Sequence, residues 1–445
     1  MPQTPIERLV YSAILCSFLL LGALFAWRVP DWQAPDEPAH YNYIAQVANG
    51  DLLPVIEMGD WDNNYINEIK ANDFVPSVIG DLDTVQYENH QPPLYYWLAT
   101  PVFILTDGNL FAVRMVSVVL AMITLMLSYA ITKIIFPEQT HLALAMMLLI
   151  GFLPQNLHIL ASVNNDALAG MMIAVTILLC VQYLKDEVRS AWGLGLAVGI
   201  IFITKTTAYF MAGVVVIVIA MRWWQQSDNR LSNSVKHYLQ FGIPASIFAI
   251  IYWGRNILTY GFPDFLGLQA HDAIVVGQQR RSEFIALNGA DVYWREAFLT
   301  TFHSFWGQFG WMEARLGDAV PIAIYFIIGL IVLALTGLLL YAWQNMSKKT
   351  DSVSGKIWIL LGFVMFFALA QYVYYNITFV QFQGRYIFAG IIPFAIGMVL
   401  GVDTWRGILL KHEYSKWLTV LIFAVFIPLD LYLIWRVIPC AVGCI

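Results

Sequence analysis

The sequence predicts an all-α polytopic membrane protein, and three observations lead there. The chain is 59% apolar and only 12% charged, where soluble domains carry about a quarter charged residues. Apolar runs recur along its whole length, most of them near the ~20 residues a helix needs to cross hydrocarbon. Basic residues gather in alternate connections between those runs, as the positive-inside rule requires.

The runs cover 6–29, 110–136, 142–160, 167–184, 192–204, 208–224, 239–253, 319–343, 357–375, 386–402 and 417–437, giving 11 expected transmembrane helices in a single domain, 1–445. The run 192–204 is the weakest, being short and ending at Lys205. The first run is too long for the apolar core of a cleaved signal and lacks a small-residue cleavage site, so it is expected to stay attached. With the N-terminus cytoplasmic, the inner segments hold 13 of the 24 basic residues and 8 of the 30 acids. That asymmetry places the long connections 30–109 and 254–318 on the outer face of a plasma or inner membrane. Connections of that length in a helical bundle usually carry function, and two on one side can build one site. Cys16 and Cys180 read as small apolar residues, whereas Cys440 and Cys444 can pair in an oxidising compartment.

The first outer loop opens with Pro35-Asp36-Glu37-Pro38-Ala39-His40-Tyr41, two carboxylates and a histidine just past a membrane span. Pro38 suits the first turn of a helix, so Asp36 or Glu37 can cap a helix from about Pro38 to Ala48. If the turn reaches back to Asp36, that residue and His40 can meet. The bland alternative is a capped helix in a solvated loop. An acidic stretch follows, and the loop closes with Glu88-Asn89-His90-Gln91-Pro92-Pro93-Leu94-Tyr95-Tyr96-Trp97, where an interfacial helix is expected.

Further along, Arg114 lies at the outer end of the second span, either snorkelling or functional. Asn165-Asp166 and Thr204-Lys205 sit in short outer turns, Arg255 leaves the seventh span, and Arg385 precedes the tenth between Gly384 and Tyr386. The aromatic segment 304–311 suits anchoring in the interface. Carboxylates (Asp36, Glu37, Glu88, Asp166) and cations (Arg255, Arg385, Lys205, with His40 and His90 able to join) thus collect on one face. Acids alone would suit proton or cation coupling, and cations at membrane depth suit a lipid phosphate. A reaction needing both is glycosyl transfer from a lipid-linked sugar phosphate, in which a carboxylate deprotonates the acceptor hydroxyl and fixed positive charge receives the leaving phosphate.

Taken in order, Asp36-Glu37, His90-Gln91-Pro92-Pro93-Leu94-Tyr95-Tyr96, Arg114, Asn165-Asp166, Thr204-Lys205, Arg255-Asn256 with Tyr260-Gly261, the segment 305–311 and Gly384-Arg385-Tyr386 resemble the GT-C-fold membrane glycosyltransferases. The resemblance is to a bacterial and archaeal membrane family of that clan, related to protein O-mannosyltransferases and the aminoarabinose transferases of lipid A. It implies a polyprenyl-phosphate sugar donor, inversion at the anomeric carbon and a catalytic carboxylate at Asp36, with Glu37 as the fallback. It also implies a second acid at Glu88, phosphate ligands at Arg255 and Arg385 with Lys205 beside them, and an acceptor-side or structural place for Asp166, His40 and Arg114. Where the aminoarabinose transferases carry a lysine, this chain has Asn89-His90-Gln91, so His90 is the candidate substitute. Some relatives hold Mg2+ or Mn2+ on acidic loop residues; no ligand spacing here demands a metal.

The expected partners are the lipid-linked donor, a lipid, protein or polysaccharide acceptor and membrane lipids, with no nucleic acid. Two rivals stand beside the enzyme, a lipid-substrate transporter or flippase and a non-catalytic assembly subunit. A transporter predicts ionisable residues in mid-span and repeated broken helices, and no internal repeat is visible in the sequence.

Overall fold

The computed structural model describes residues 4–223, 230–346 and 352–441. Helix α1 (Pro5–Arg28) starts with a capping box: the Glu7 N–H donates to Thr4 Oγ1 at 3.2 Å and the Thr4 N–H to the Glu7 carboxylate at 3.1 Å. The first long loop, the one expected on the outer face, then contains α2 (Glu37–Ala48), α3 (Asn63–Ala71) and α4 (Leu94–Leu105). The expected interfacial helix is α4, which leaves Trp97, Leu98, Ile104 and Leu105 exposed. Helices α5 (Leu110–Ile135), α6 (Thr140–Phe152), α7 (Pro154–Leu160), α8 (Asp166–Leu184), α9 (Trp192–Phe202), α10 (Phe210–Trp223) and α11 (Arg230–Tyr260) follow. The second outer loop holds α12 (Leu268–Ile274), α13 (Arg281–Asn288), α14 (Ala290–Trp306), a small antiparallel hairpin of β1 (Gln308–Phe309) and β2 (Ala314–Arg315), and α15 (Leu316–Ala319). The bundle closes with α16 (Pro321–Asn345), α17 (Ser352–Thr378), α18 (Ile391–Leu409), α19 (Lys416–Ala424), α20 (Phe426–Tyr432) and α21 (Ile438–Ala441).

Among the described residues nine helices are long and apolar enough to cross a membrane, or ten if the bent pair α6 and α7 forms one span. The expected count of 11 is therefore not met, for two physical reasons. The run 142–160 breaks where Pro154 cannot donate a helix hydrogen bond and forces Leu153 to extended backbone (φ −68°, ψ 116°), so α7 turns 65° away from α6. The run 192–204 yields only the 11-residue α9, too short to span alone. The pairing of Cys440 with Cys444 lies outside the described residues.

Small residues let the spans touch. A Cβ added at Gly337 of α16 would lie 1.9 Å from the Gly401 carbonyl oxygen of α18, so the two backbones are in contact there. Asp430, within the last span, is fully buried with neither carboxylate oxygen hydrogen-bonded among the described residues. The sequence pattern of charges at span ends does not foresee it.

Two hydrophobic cores result. The larger runs through the spans, and the second lies in the outer loops around Ala39, Ile56, Ile66, Ile69, Phe74, Val85, Tyr87 and Val275. Cross-ties join the two loops: Trp61 Nε1 donates to the Val276 carbonyl at 2.8 Å and Trp311 Nε1 to the Trp32 carbonyl at 3.0 Å. The segment 304–311 departs from its expected anchoring role, since Phe305, Trp306 and Phe309 are buried. Phe305 and Trp306 at the end of α14 and Phe309 in β1 pack into the larger core.

Candidate active site

Asp36 stands immediately before α2 in the left-handed region, φ 67°, which aspartate tolerates better than most residues. Although it holds the N-cap position, its side chain makes no capping bond. One carboxylate oxygen instead accepts from Tyr87 Oη at 2.9 Å and the other from Arg385 Nη2 at 2.5 Å. Burial by itself would raise the Asp36 pKa, but the Arg385 guanidinium, His40 and the Tyr87 hydroxyl outweigh it and hold the acid at about 2.

Arg385 reaches this point because Gly384 lets its backbone lie directly on α14. A Cβ at Gly384 would come within 2.5 Å of the Thr301 carbonyl oxygen and the Phe305 nitrogen, while the Gly384 N–H donates to Ser304 Oγ at 2.7 Å. Arg385 Nε donates to Gln383 Oε1 at 2.7 Å, and Nη1 is buried with no hydrogen-bond partner among the described residues. A buried, unused guanidinium N–H aimed beside a carboxylate is a ready anion donor.

Glu37, the neighbouring acid, has a different setting. It is fully buried and accepts from Arg114 Nε at 2.8 Å, Arg114 Nη2 at 2.6 Å and the Val163 N–H at 3.0 Å. Arg114 is 1% exposed rather than snorkelling, and it also donates to the carbonyls of Ala26, Val29 and Pro30. This pair ties α1, α2, α5 and the turn before α8 into one joint.

Glu88 lies in the turn 87–90, with Oε2 buried and unpartnered among the described residues. Burial raises its pKa, against the opposing pull of His40. His40 itself donates to or accepts from Tyr96 Oη through Nδ1 at 2.9 Å, not from Asp36, so the expected contact between Asp36 and His40 is one of field rather than hydrogen bond. Burial lowers the His40 pKa, while Glu88, Asp36 and Asp166 push it up and Lys205 adds to the lowering.

His90 faces the Tyr87 carbonyl through Nδ1 at 3.1 Å and the His271 ring at 4.3 Å between centroids. Burial lowers its pKa to about 4 and that of His271 to about 3. In the unfolded chain both protonate near ~6.5. Between those values the unfolded state binds more protons, so stability should fall as pH drops from about 6.5 towards about 4. The melting temperature in detergent, compared near pH 7 and near pH 5, should show that loss, and His90→Gln should shrink it.

Asp166 begins α8 but does not cap it; its carboxylate pairs with Lys205 Nζ at 2.6 Å. Arg255 is spent elsewhere, donating to the Leu53 carbonyl and, at 2.8 Å, to the Pro54 carbonyl, with Nη1 on Asn256 at 3.0 Å. Those bonds fasten the first outer loop to the end of α11. The structure thus brings Asp36, Arg385, His40, Glu88, Asp166 and Lys205 into one electrostatic neighbourhood, with Arg255 holding the wall. Tyr87, Tyr96 and Gln383 were missed as site residues. Tyr87 and Gln383 each sit one or two positions from a named charge, which is the one local signal they carry.

Residues 90–253 match the family model for dolichyl-phosphate-mannose-protein mannosyltransferase. Across 97% of its length the chain is similar to ArnT from Cupriavidus metallidurans bound to undecaprenyl phosphate, with 12% identity, 74% of that chain covered and a TM-score of 0.51. The fold is GT-C. The GT-C segment matched by the family model runs from His90 into α11 and so contains Arg114, Asp166 and Lys205 but neither Asp36 nor Arg385. The oligosaccharyltransferase of Archaeoglobus fulgidus tethered with an acceptor peptide is similar at 13% identity, TM-score 0.44, over 96% of this chain and 55% of that one. No curated protein matches the chain by sequence.

Proposed function

We propose that this chain is an inverting glycosyltransferase that moves a sugar from a polyprenyl-phosphate donor to an acceptor hydroxyl on the non-cytoplasmic face. The observation that carries the reading is the Asp36–Arg385 pair with its buried, unpartnered Arg385 Nη1. The GT-C fold and the undecaprenyl phosphate bound by ArnT support the lipid-linked donor, and the charge asymmetry of the loops supports the face.

In this reading the acceptor hydroxyl gives its proton to Asp36 as its oxygen attacks the anomeric carbon. The bond from that carbon to the phosphate oxygen breaks, and the phosphate leaves as an anion onto Arg385, with Lys205 adding positive charge. A carboxylate held at about 2 is a weak base. When the donor phosphate takes over the Arg385 N–H groups, the grip on Asp36 loosens and its basicity rises, so the base is activated by the substrate it serves. Glu88, buried and shifted towards its neutral form, suits hydrogen bonding to a sugar hydroxyl.

No group of three or more His, Cys, Asp or Glu among the described residues is arranged to hold a metal ion, and Asp36 and Asp166 already sit on cations. No step is routed through a metal.

The test is purified protein with short-chain polyprenyl phosphate and its sugar-loaded form. Wild type should be thermally stabilised by the lipid phosphate and should consume the donor, with turnover unchanged by EDTA. Arg385→Gln should lose the stabilisation. Absence of both lipid binding and turnover in wild type refutes the reading.

A further inference from the structure

A cavity separate from the Asp36 cluster opens at the C-terminal end of α17. Its volume is about 460 Å³, and it is lined by Arg280, Arg281, Ser282, Ile285, Ile377 and Thr378. The start of α13 contributes two cations, a hydroxyl and Ile285, and the end of α17 contributes Ile377 and the Thr378 hydroxyl. Around it Leu287, Trp294, Phe298, Val373 and Tyr374 are exposed, an apolar collar of the kind that meets lipid.

The arginines differ in what they already hold. Arg280 Nη2 bonds both oxygens of Asp272 at 3.0 and 3.2 Å, and its backbone N–H donates to the Glu283 carboxylate at 3.0 Å. Among the described residues Arg281 pairs with no acid: its guanidinium lies 5.3 Å from the Tyr293 ring centroid and 6.0 Å from that of Trp294, and Nε is buried without a partner. The cavity therefore offers guanidinium charge with unspent donors beside an apolar wall. That combination matches a phosphate carried on an isoprenoid chain.

The cavity is also joined to the candidate active site. Arg280 pairs across a β-bridge with Phe379, and its guanidinium stacks 5.2 Å from that ring. Phe379 lies 5.4 Å from Tyr375, Tyr375 lies 5.8 Å from Tyr386, and the Arg385 guanidinium sits 5.4 Å from the Tyr386 ring. A chain of neighbouring aromatic rings thus links the cations at the rim to the arginine on Asp36.

We propose that the Arg280–Arg281 cavity is a staging site for the polyprenyl-phosphate sugar donor, from which the phosphate headgroup passes along Phe379, Tyr375 and Tyr386 to Arg385. This rests on the lipid-linked reading of the Asp36 site and adds a second phosphate position to it. The shared chemistry is a phosphate anion, which free inorganic phosphate also presents; Ile285 and Ile377 beside the arginines select the lipid-borne form.

Native mass spectrometry of the full chain, titrated separately with short-chain polyprenyl phosphate, inorganic phosphate and phosphatidylglycerol, tests it. Wild type should retain two polyprenyl phosphates, Arg280→Gln/Arg281→Gln one, and Arg385→Gln the other one. Arg281→Lys, which keeps a point charge, should retain two and so separates charge loss from misfolding. A single lipid on wild type that Arg385→Gln removes, or two on the double glutamine variant, overturns the staging site while leaving the Arg385 site standing. Equal retention of inorganic phosphate or phosphatidylglycerol at the Arg281-dependent position overturns it as well. Loss of the Arg385-dependent lipid from wild type would instead strike the parent reading.

Discussion

Asp36→Asn is expected to lose roughly 10²- to 10⁴-fold in turnover, the usual contribution of a positioned base, with the fold retained. Asparagine is nearly isosteric, tolerates φ near 67° and can still accept from Tyr87. What disappears is the charge facing Arg385 and the ability to take a proton. Because Asp36 is 27% exposed at its side chain, water will compensate part of the lost pairing, so the melting temperature should drop modestly. Release of polyprenyl phosphate from labelled donor gives the rate, and a variant within a few-fold of wild type would move the base to Glu88. Donor binding should survive, or strengthen, since Arg385 is freed for the phosphate.

The second large effect is on stability. Arg114→Ala should cost about 3–5 kcal/mol, the range seen when one partner of a buried ion pair is removed. Glu37 would be left buried with only the Val163 N–H, and the Ala26, Val29 and Pro30 carbonyls would lose the arginine, Pro30 keeping the Gln33 N–H at 3.3 Å. Arg114→Lys should rescue little, because an ammonium cannot reproduce the two-pronged contact with Glu37 while serving Ala26, Val29 and Pro30. Thermal unfolding in detergent measures the loss. Turnover per folded molecule should hold, which separates Glu37–Arg114 from Asp36–Arg385; a variant that folds normally yet is inactive would contradict this division.

The membrane class was legible because hydrophobic length is a local property, readable within each ~20-residue window. The charged residues were legible for a similar reason, since an arginine or carboxylate among apolar neighbours stands out. Their pairings were not. Asp36 meets Arg385 349 positions away and Glu37 meets Arg114 77 positions away, and nothing local tells the two adjacent acids apart. Arg255 illustrates the same limit: as a sequence feature it matches a phosphate ligand, and only the fold shows it occupied by the Leu53 and Pro54 carbonyls. The bend at Leu153–Pro154 hid inside an apolar run because hydropathy does not register a missing N–H.

The core shared by the two outer loops gives the molecule two kinds of cohesion. Ile56, Ile66, Ile69, Phe74 and Val275 are held together by water's exclusion from them, whereas the spans, as at Gly337 against Gly401, are held by close packing in hydrocarbon. Urea weakens the first force and barely reaches the second. Chaotrope should therefore peel the outer cap from an intact bundle, making residues 50–85 cleavable by protease while the spans remain helical. Harsh detergent should do the reverse and part the spans first.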